Sequence, residues 1–337
     1  MQILVTAPGA RQNDSLYPKP VLDRLESLGD VDYNETGEQF SPAEFRERLA
    51  GADVCLTGWG CPELSAEVLA DADSLELVAH VGGSVASIAS DALYDRGISV
   101  CSANHVMAPF VAEGVLAYTM SGLRDIPRLD AELAAGEWPS GRKSRTETLF
   151  DADVGFVGLG TVGRTVLSLL EPFDVTVRVY DPYISAEELD EYDFAGLASL
   201  EEVLSESRVV SVHASKTPET LHMLDAERLA MLPDGALLVN AARGAIVDED
   251  ALLAELEDGR LSAALDVYET EPLPEDHPFR DLDNAILGPH VAGSPSRTRL
   301  ADAVVAEVER FAAGDPLEHA VPRERYELMT KDWLEAS

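Results

Sequence analysis

Lysine is nearly missing from this chain. Among 337 residues only Lys19, Lys143, Lys216 and Lys331 are lysines, and arginine supplies the rest of the 25 positive side chains. Against them stand 62 aspartates and glutamates, for a net charge of −37. Nucleic acids and anionic membranes are bound through lysine and arginine, so neither is expected as a partner. Cysteine is scarce as well. Cys55, Cys61 and Cys101 are odd in number and lack the spacing of a metal site or disulfide framework, the usage of a reducing cytosol. No stretch reads as the ~20 consecutive apolar residues of a membrane span. The opening Met1-Gln-Ile-Leu-Val-Thr6 reads as a first strand, without the basic region and cleavage site of a secretory signal. A cytoplasmic protein is expected. Internal repeats and low-complexity tracts are also missing, and 46% apolar residues over this length give material for two ordinary domains.

What the chain does have is concentrated between residues 154 and 181. Val154-Gly-Phe-Val-Gly158-Leu-Gly160-Thr-Val-Gly163 sets three glycines behind an apolar strand and at the opening of a helical pattern, and the next strand ends Val179-Tyr180-Asp181. Strand, glycines, helix and acid in that register form the full context of a dinucleotide-binding turn. Gly158 permits the tight turn, Gly160 lets a pyrophosphate approach the backbone, and Gly163 lets the helix pack closely. Thr161 and Val162 then lie at a helix N-terminus facing the phosphates. Asp181, 18 residues past Gly163, is placed to accept ribose hydroxyls and to repel a 2′-phosphate. Pro182-Tyr-Ile-Ser185 brings no arginine to offset it, so NAD is expected over NADP.

From Val154 onward, strands at 154–157, 175–180, 209–213, 236–240, 263–267 and 285–287 alternate with helical stretches at 161–171, 200–206, 225–231 and 248–257. Gly259 closes the last of these. Such alternation predicts right-handed crossovers and a parallel, doubly wound sheet. The first hundred residues carry a weaker version without a glycine fingerprint. Its strands fall at 2–6, 53–57, 76–79 and 98–101, with helices near 18–28, 42–50, 63–70 and 89–96. The fold expected is α/β with two Rossmann-like domains. A discontinuous, flavodoxin-like outer domain (1–104 plus 293–337) would be interrupted by a nucleotide domain (105–292). Residues 106–122 would be the crossing helix, 297–312 an amphipathic helix, and 136–148 an exposed loop.

Three further segments fall at predicted carboxyl ends of strands, where open α/β sheets bind ligands. They are Val239-Asn-Ala-Ala-Arg243-Gly-Ala-Ile-Val-Asp248, Ala264-Leu-Asp266-Val-Tyr-Glu-Thr-Glu271-Pro272-Leu-Pro274, and Leu287-Gly-Pro-His290-Val-Ala-Gly293. Arg243 offers a planar fork for a carboxylate. His290 can move a proton near neutral pH, and Glu271 could hydrogen-bond its other ring nitrogen and ready it for donation to a substrate oxygen. Asp266, ending a strand, could hold the nicotinamide amide. His213 and Ala214, at another strand end, can neighbour a cofactor. His80, His105, His222, His277 and His319 read as structural.

In this order the segments resemble the D-isomer-specific 2-hydroxyacid dehydrogenases. That family's N-x-x-R-G pattern matches Asn240 to Gly244, D-V-x-x-x-E-P matches Asp266 to Pro272, and P-H-x-A-G matches Pro289 to Gly293. Val212-His213 with Thr217-Pro-Glu-Thr220, and Val111-Ala-Glu113, match as well. The resemblance covers nearly the whole chain. It implies reversible hydride transfer between NADH and a 2-keto acid, giving a D-2-hydroxy acid. Arg243 would hold the substrate carboxylate, His290 would protonate the carbonyl oxygen, and Glu271 would tune His290. It further implies a cofactor pocket that takes in Thr217, Ala241 and Gly293. Carboxylate-binding amides would lie in Val81-Gly82-Gly83-Ser84, and a homodimer would form near 106–135. A second reading stays open on motifs alone, an NAD-sensing binding protein resembling the C-terminal-binding-protein corepressors.

The chain departs from the family in places. The usual R-x-G-x-G-x-D-N-I-D segment is here His80-Val-Gly-Gly-Ser84-Val-Ala-Ser-Ile-Ala89, so the substrate-side loop is of another type. A proline usual after the strand-end histidine is replaced in His213-Ala-Ser215-Lys216. Trp59, in the loop Thr57-Gly-Trp-Gly-Cys-Pro62, could cap an apolar substrate tail or simply pack. The length of the chain, with no basic cluster beyond Arg243, leads us to expect a member other than the long phosphoglycerate type.

The carboxylates are scattered along the chain instead of gathered in a tail, so their repulsion acts on the whole folded state. At molar salt the Debye length shrinks to about 3 Å and most of that repulsion is screened. Together with the loss of lysine, this leads us to expect a protein of a salt-accumulating cell, the alternative being an acidic protein of ordinary salt. Unfolding followed from low to molar KCl separates the two. Stability is expected to rise with KCl, and a flat response would remove the salt-adapted reading.

Overall fold

The computed structural model describes residues 1–138 and 146–330; of the loop expected at 136–148, residues 139–145 lie outside that range. The described residues divide into two compact units, Met1–Ala108 with Ser294–Thr330, and Pro109–Gly293.

In the first unit β1 (Gln2–Val5), β2 (Asp30–Tyr33), β3 (Val54–Thr57), β4 (Leu77–His80) and β5 (Ser99–Ser102) form a parallel sheet in the order β2-β1-β3-β4-β5. This is the flavodoxin-like order that was expected. Strand alternation supplies a core on each face. Ile3, Val5, Val54, Leu56, Leu77 and Ala79 join the core that includes α1 (Lys19–Leu28). Leu4, Cys55, Val78 and Val100 join the one beneath α2 (Pro42–Leu49) and α3 (Asp91–Asp95). Strand β2 was not expected. Its sequence Asp-Val-Asp-Tyr lies at the sheet edge, where only Tyr33 is buried, so no apolar run announces it.

Helix α4 (Asn104–Leu123) begins in the first unit and ends in the second. By length and composition it could cross a membrane, which corrects the expectation that no stretch comes near that size. Ala108, Ala112, Val115, Thr119 and Leu123 are nevertheless buried at helical spacing, the mark of a helix seated on protein along one side. A short loop leads into α5 (Ile126–Ala134).

The second sheet contains β6 (Asp153–Val157), β7 (Thr176–Tyr180), β8 (Ala195–Leu197), β9 (Val209–Val212), β10 (Leu237–Asn240), β11 (Ser262–Leu265) and β12 (Ala285–Leu287). All pair in parallel, in the order β12-β11-β10-β9-β6-β7-β8. The order reverses between β6 and β9, and the crevice at such a reversal is where open sheets bind ligands. Edge strand β8, half-exposed and three residues long, was also missed from sequence. The helices α6 (Thr161–Leu170), α7 (Leu200–Glu206), α8 (Ala226–Leu229) and α9 (Glu249–Glu257) sit where the sequence pattern put them. Gly155 in β6 lets α7 approach, since a Cβ there would stand 2.6 Å from Ser207 Oγ and 2.8 Å from Val203.

The chain then returns to the first unit as α10 (Arg297–Ala313), which buries Leu300, Ala301, Val304, Val305 and Val308. Arg24 of α1 grips Glu309 of α10 with two hydrogen bonds, 2.8 and 2.6 Å, and also pairs with Asp302.

Candidate active site

The glycine turn after β6 is built as its sequence requires. Gly158 has φ of 89°, and a Cβ on it would lie 2.7 Å from the Ala214 backbone, so both torsion and space demand glycine. Gly163 packs against His213 and the Gly158 carbonyl, with its missing Cβ 3.3 to 3.4 Å from them. Gly160 faces open space and occupies the N-cap of α6. That helix has no side-chain cap and no acid in its first turn, whereas α7 and α9 are capped by Ser199 and Asp248 and begin with two acids each. The first turn of α6, at Thr161 and Val162, thus carries no acid of its own to compete with an anion. At the end of β7, Asp181 accepts the Leu159 amide (2.8 Å) and the Tyr183 amide (2.9 Å), tying the glycine turn to the next strand. Pro182 is exposed beside it. His213, past β9, stands edge-on to Phe156 with ring centroids 4.7 Å apart. Burial pushes its imidazole down to about 3, so it is neutral at working pH. Thr217 donates its amide to Thr220 Oγ1 (2.8 Å) in the following turn, and Ala241 follows β10 directly. These groups suit a dinucleotide: an uncapped helix start for phosphates, an acid fixed at the second strand end for a ribose.

Arg243, Glu271 and His290 follow β10, β11 and β12. Buried Asn240 shapes the first loop. Its side chain accepts the Ala242 amide (3.0 Å) and donates to the Arg243 carbonyl (2.9 Å), while Arg243 Nη1 donates to the Ala242 carbonyl (2.7 Å). The next residue can only be glycine, because a Cβ on Gly244 would overlap the Tyr268 carbonyl and the Glu269 amide. The loops of Arg243 and Glu271 therefore touch backbone to backbone. Glu271 Oε1 accepts the Tyr268 amide at 3.0 Å, and Oε2 meets His290 Nδ1 at 2.7 Å. Burial raises the Glu271 carboxyl, but the hydrogen bonds from His290 and the Tyr268 amide, with the charges of His290 and Arg243, outweigh it and the net direction is down. An ionised Glu271 accepts the hydrogen bond of Nδ1–H, which leaves Nε2 to serve a ligand; half of the His290 side chain is exposed. Buried Asp266 accepts the amides of Val291 (3.0 Å) and Ala292 (2.8 Å) and so fixes the two residues after His290. Gly293 ends this segment, and the second unit with it.

Motif reading missed a group behind this arrangement. Glu249 and Glu269 exchange hydrogen bonds: the Glu269 amide donates to Glu249 Oε1 (2.7 Å) and the Glu249 amide to Glu269 Oε1 (3.2 Å). His222 Nε2 lies 2.9 Å from Glu269 Oε1, and His277 Nε2 3.6 Å from Glu249 Oε2. Four residues from four segments brace the loops that carry Arg243 and Glu271. No spacing in sequence could have joined them.

The substrate-side residues expected from sequence lie in the first unit. Gly82 turns directly over the buried His80 ring, which a Cβ would overlap, and His80 Nδ1 is 3.0 Å from Thr57 Oγ1. Burial pushes His80 down to about 4. The Val81 amide is held by the Thr57 carbonyl (2.8 Å) and the Gly82 amide by the His80 carbonyl (2.9 Å). An anion at this loop would therefore rely on the amides of Gly83 and Ser84. Trp59 is 48% exposed, with Arg297 5.9 Å from its ring centre.

A doubly wound NAD-type sheet with an arginine and a histidine–glutamate pair at its strand ends defines a class, and comparison with known proteins narrows it. The pattern of the D-isomer specific 2-hydroxyacid dehydrogenase NAD binding domain matches residues 116–292. A D-3-phosphoglycerate dehydrogenase of Methanocaldococcus jannaschii is 31% identical over 95% of this chain and 59% of its own length. A glyoxylate reductase of Thermofilum pendens is 31% identical over 85% of this chain and 86% of its own. A solved structure from Thermus thermophilus superposes with a TM-score of 0.77 at 31% identity, over 95% of this chain and 100% of that one. The chain belongs to the D-isomer specific 2-hydroxyacid dehydrogenase family. It spans 49 to 59% of the length of the phosphoglycerate dehydrogenases it matches.

The bracing group gives a test of its own. Burial first, then the charges of Glu269, Asp250 and Glu271, push Glu249 up to about 7 against the pull of the Glu269 amide. A carboxyl raised from 4.5 to about 7 binds its proton more tightly in the folded than in the unfolded chain. Its contribution to stability therefore falls as pH rises between those values and is level above them. Relative to wild type, Glu249→Gln should gain stability as pH rises from about 5 to about 7, measured by urea unfolding at fixed salt. A difference constant over that range would mean that Glu249 titrates as an ordinary carboxylate.

Proposed function

We infer that the protein reduces a 2-keto acid reversibly to a D-2-hydroxy acid with NAD(H). The observation that carries this reading is the 2.7 Å pairing of His290 Nδ1 with Glu271, on a loop in backbone contact with the loop of Arg243. Bound NADH supplies the hydride. The remaining work belongs to the protein. Arg243 offers its guanidinium to the substrate carboxylate. His290 donates the proton of Nε2 to the carbonyl oxygen as that oxygen gains negative charge, and takes it back in the reverse direction. Glu271 keeps Nδ1 protonated and carries the countercharge. The phosphoglycerate and glyoxylate names of the relatives support a small hydroxy or keto acid as substrate.

NAD is favoured over NADP by Asp181, whose carboxylate two amides fix at the end of β7, where it would meet a 2′-phosphate. A homodimer is supported by the apolar side chains of Met120, Ile126 and Leu133, exposed on α4 and α5. A reducing cytoplasm is supported by three free thiols, all buried.

NADH consumption in molar KCl, against 2-keto acids from glyoxylate and hydroxypyruvate to branched and aromatic ones, tests the reading. At least one should be turned over. His290→Ala should lose about 10²- to 10⁴-fold in kcat while still binding NADH. Full activity in that variant would remove His290 as proton donor. Silence of the wild type across the panel, with NADH bound, would replace the enzyme reading by that of a sensor. For cofactor choice, kcat/KM with NADH should exceed that with NADPH by about tenfold or more, a fraction of the roughly 4 kcal/mol between unit charges 4 Å apart near a protein surface. Equal use of the two would remove Asp181 as the discriminator.

A further inference from the structure

Helix α4 presents one face to the segment that carries His290. Gly114 and Tyr118, one turn apart, lie on that face. A Cβ on Gly114 would stand 2.9 Å from Ala292 Cβ, so the helix is pressed close at that point. One turn on, the Tyr118 hydroxyl donates to Asp266 Oδ1 at 2.8 Å. Gly288 makes room for this bond, because a Cβ there would overlap the Tyr118 hydroxyl and stand 2.5 Å from Asp266 Oδ1. Asp266 thus gathers three donors: the phenol from α4 and the amides of Val291 and Ala292.

Those two amides follow His290, whose φ is 55°. A non-glycine residue in that left-handed region is held there by its surroundings. What holds it on the C-terminal side is the Asp266 carboxylate, and what fixes one oxygen of that carboxylate from across the unit is Tyr118. Burial first, then Asp266, raises the phenol, so it stays a donor throughout the working pH range.

We propose that Tyr118 is a positioning residue for the proton donor: through Asp266 its hydroxyl holds the backbone that aims His290 at Glu271 and at the substrate. The proposal rests on the dehydrogenase reading above. It separates Tyr118 from a plain packing residue, since phenylalanine would keep the ring and lose only the donor.

Tyr118→Phe tests it. The expected result is a fall in kcat of about tenfold, with KM for the keto acid and Kd for NADH within about twofold of wild type and thermal stability little changed. A merely structural role would instead lower stability or shift all constants together. The imidazole ring resonances of His290, identified by their loss in His290→Ala, give a reading that does not need turnover. They should shift in Tyr118→Phe while those of His80 and His319 stay in place. Wild-type kcat with unmoved His290 resonances overturns the proposal, and so does a loss confined to NADH binding. If wild type reduces no keto acid, the functional reading fails, and the His290 resonances alone decide what Tyr118 does.

Discussion

Arg243 and Glu271 belong to different crossovers, and their separation is set by the contact of Gly244 with the backbone of Tyr268 and Glu269. No side chain stands between the two loops at that contact, so no rotamer change there can alter their spacing. The same device recurs around the sheet. Gly158 brings the turn after β6 against the Ala214 backbone, and Gly288 brings the segment after β12 against Tyr118 and Asp266. Acid–base and hydride chemistry tolerates little misplacement; an error of about 1 Å can cost on the order of a hundredfold in rate. Backbone contacts that only glycine permits are a direct way to hold that tolerance.

Carboxylates finish what the glycines begin. Asp181, Asp266, Glu249, Glu269 and Glu271 each accept at least one backbone amide without capping a helix of their own. Hydrogen bonds to ionised acceptors are about twice as strong as neutral ones, which suits them to tying loops. Elsewhere many of the ion-paired acids meet arginine, and several arginines serve more than one acid: Arg24 meets Asp302 and Glu309, and Arg178 meets Asp153 and Glu206. With positive charge so scarce, the acids around the site depend on backbone amides instead.

The elements legible in the sequence are those with a local period. The glycine turn, the strand–helix alternation and the three segments around Arg243, Glu271 and His290 all repeat a short-range pattern, and the structure brings those three segments together at adjacent strand ends. Strands β2 and β8 escaped because an edge strand needs no continuous apolar run. Helix α4 was legible to within two residues at each end, but its span-like apolar length was not, because Glu113 and Pro109 interrupt the apolar run. Asp266 was read as a cofactor contact, and its bonds to Val291 and Ala292 were not visible, since they join residues 25 and 26 positions apart. The group of His222, Glu249, Glu269 and His277 was hidden for the same reason. Polar contacts between distant loops are decided by the fold, and nothing in their local spacing records them.

The charge of −37 bears on the chemistry as well as on stability. The ligands proposed above, NADH and a keto acid, are both anions, and a surface of carboxylate repels them at long range. Screening by salt removes that repulsion but would also remove any long-range attraction from a halo of lysines. At high salt only positive groups acting at contact distance keep their value. Two groups of this kind in the second unit are the guanidinium fork of Arg243 and the start of α6, which has no side-chain cap and no acid in its first turn. The helix starts at α7 and α9 carry acids that complement their own amides. At α6 that complement is withheld, and a bound anion can take its place.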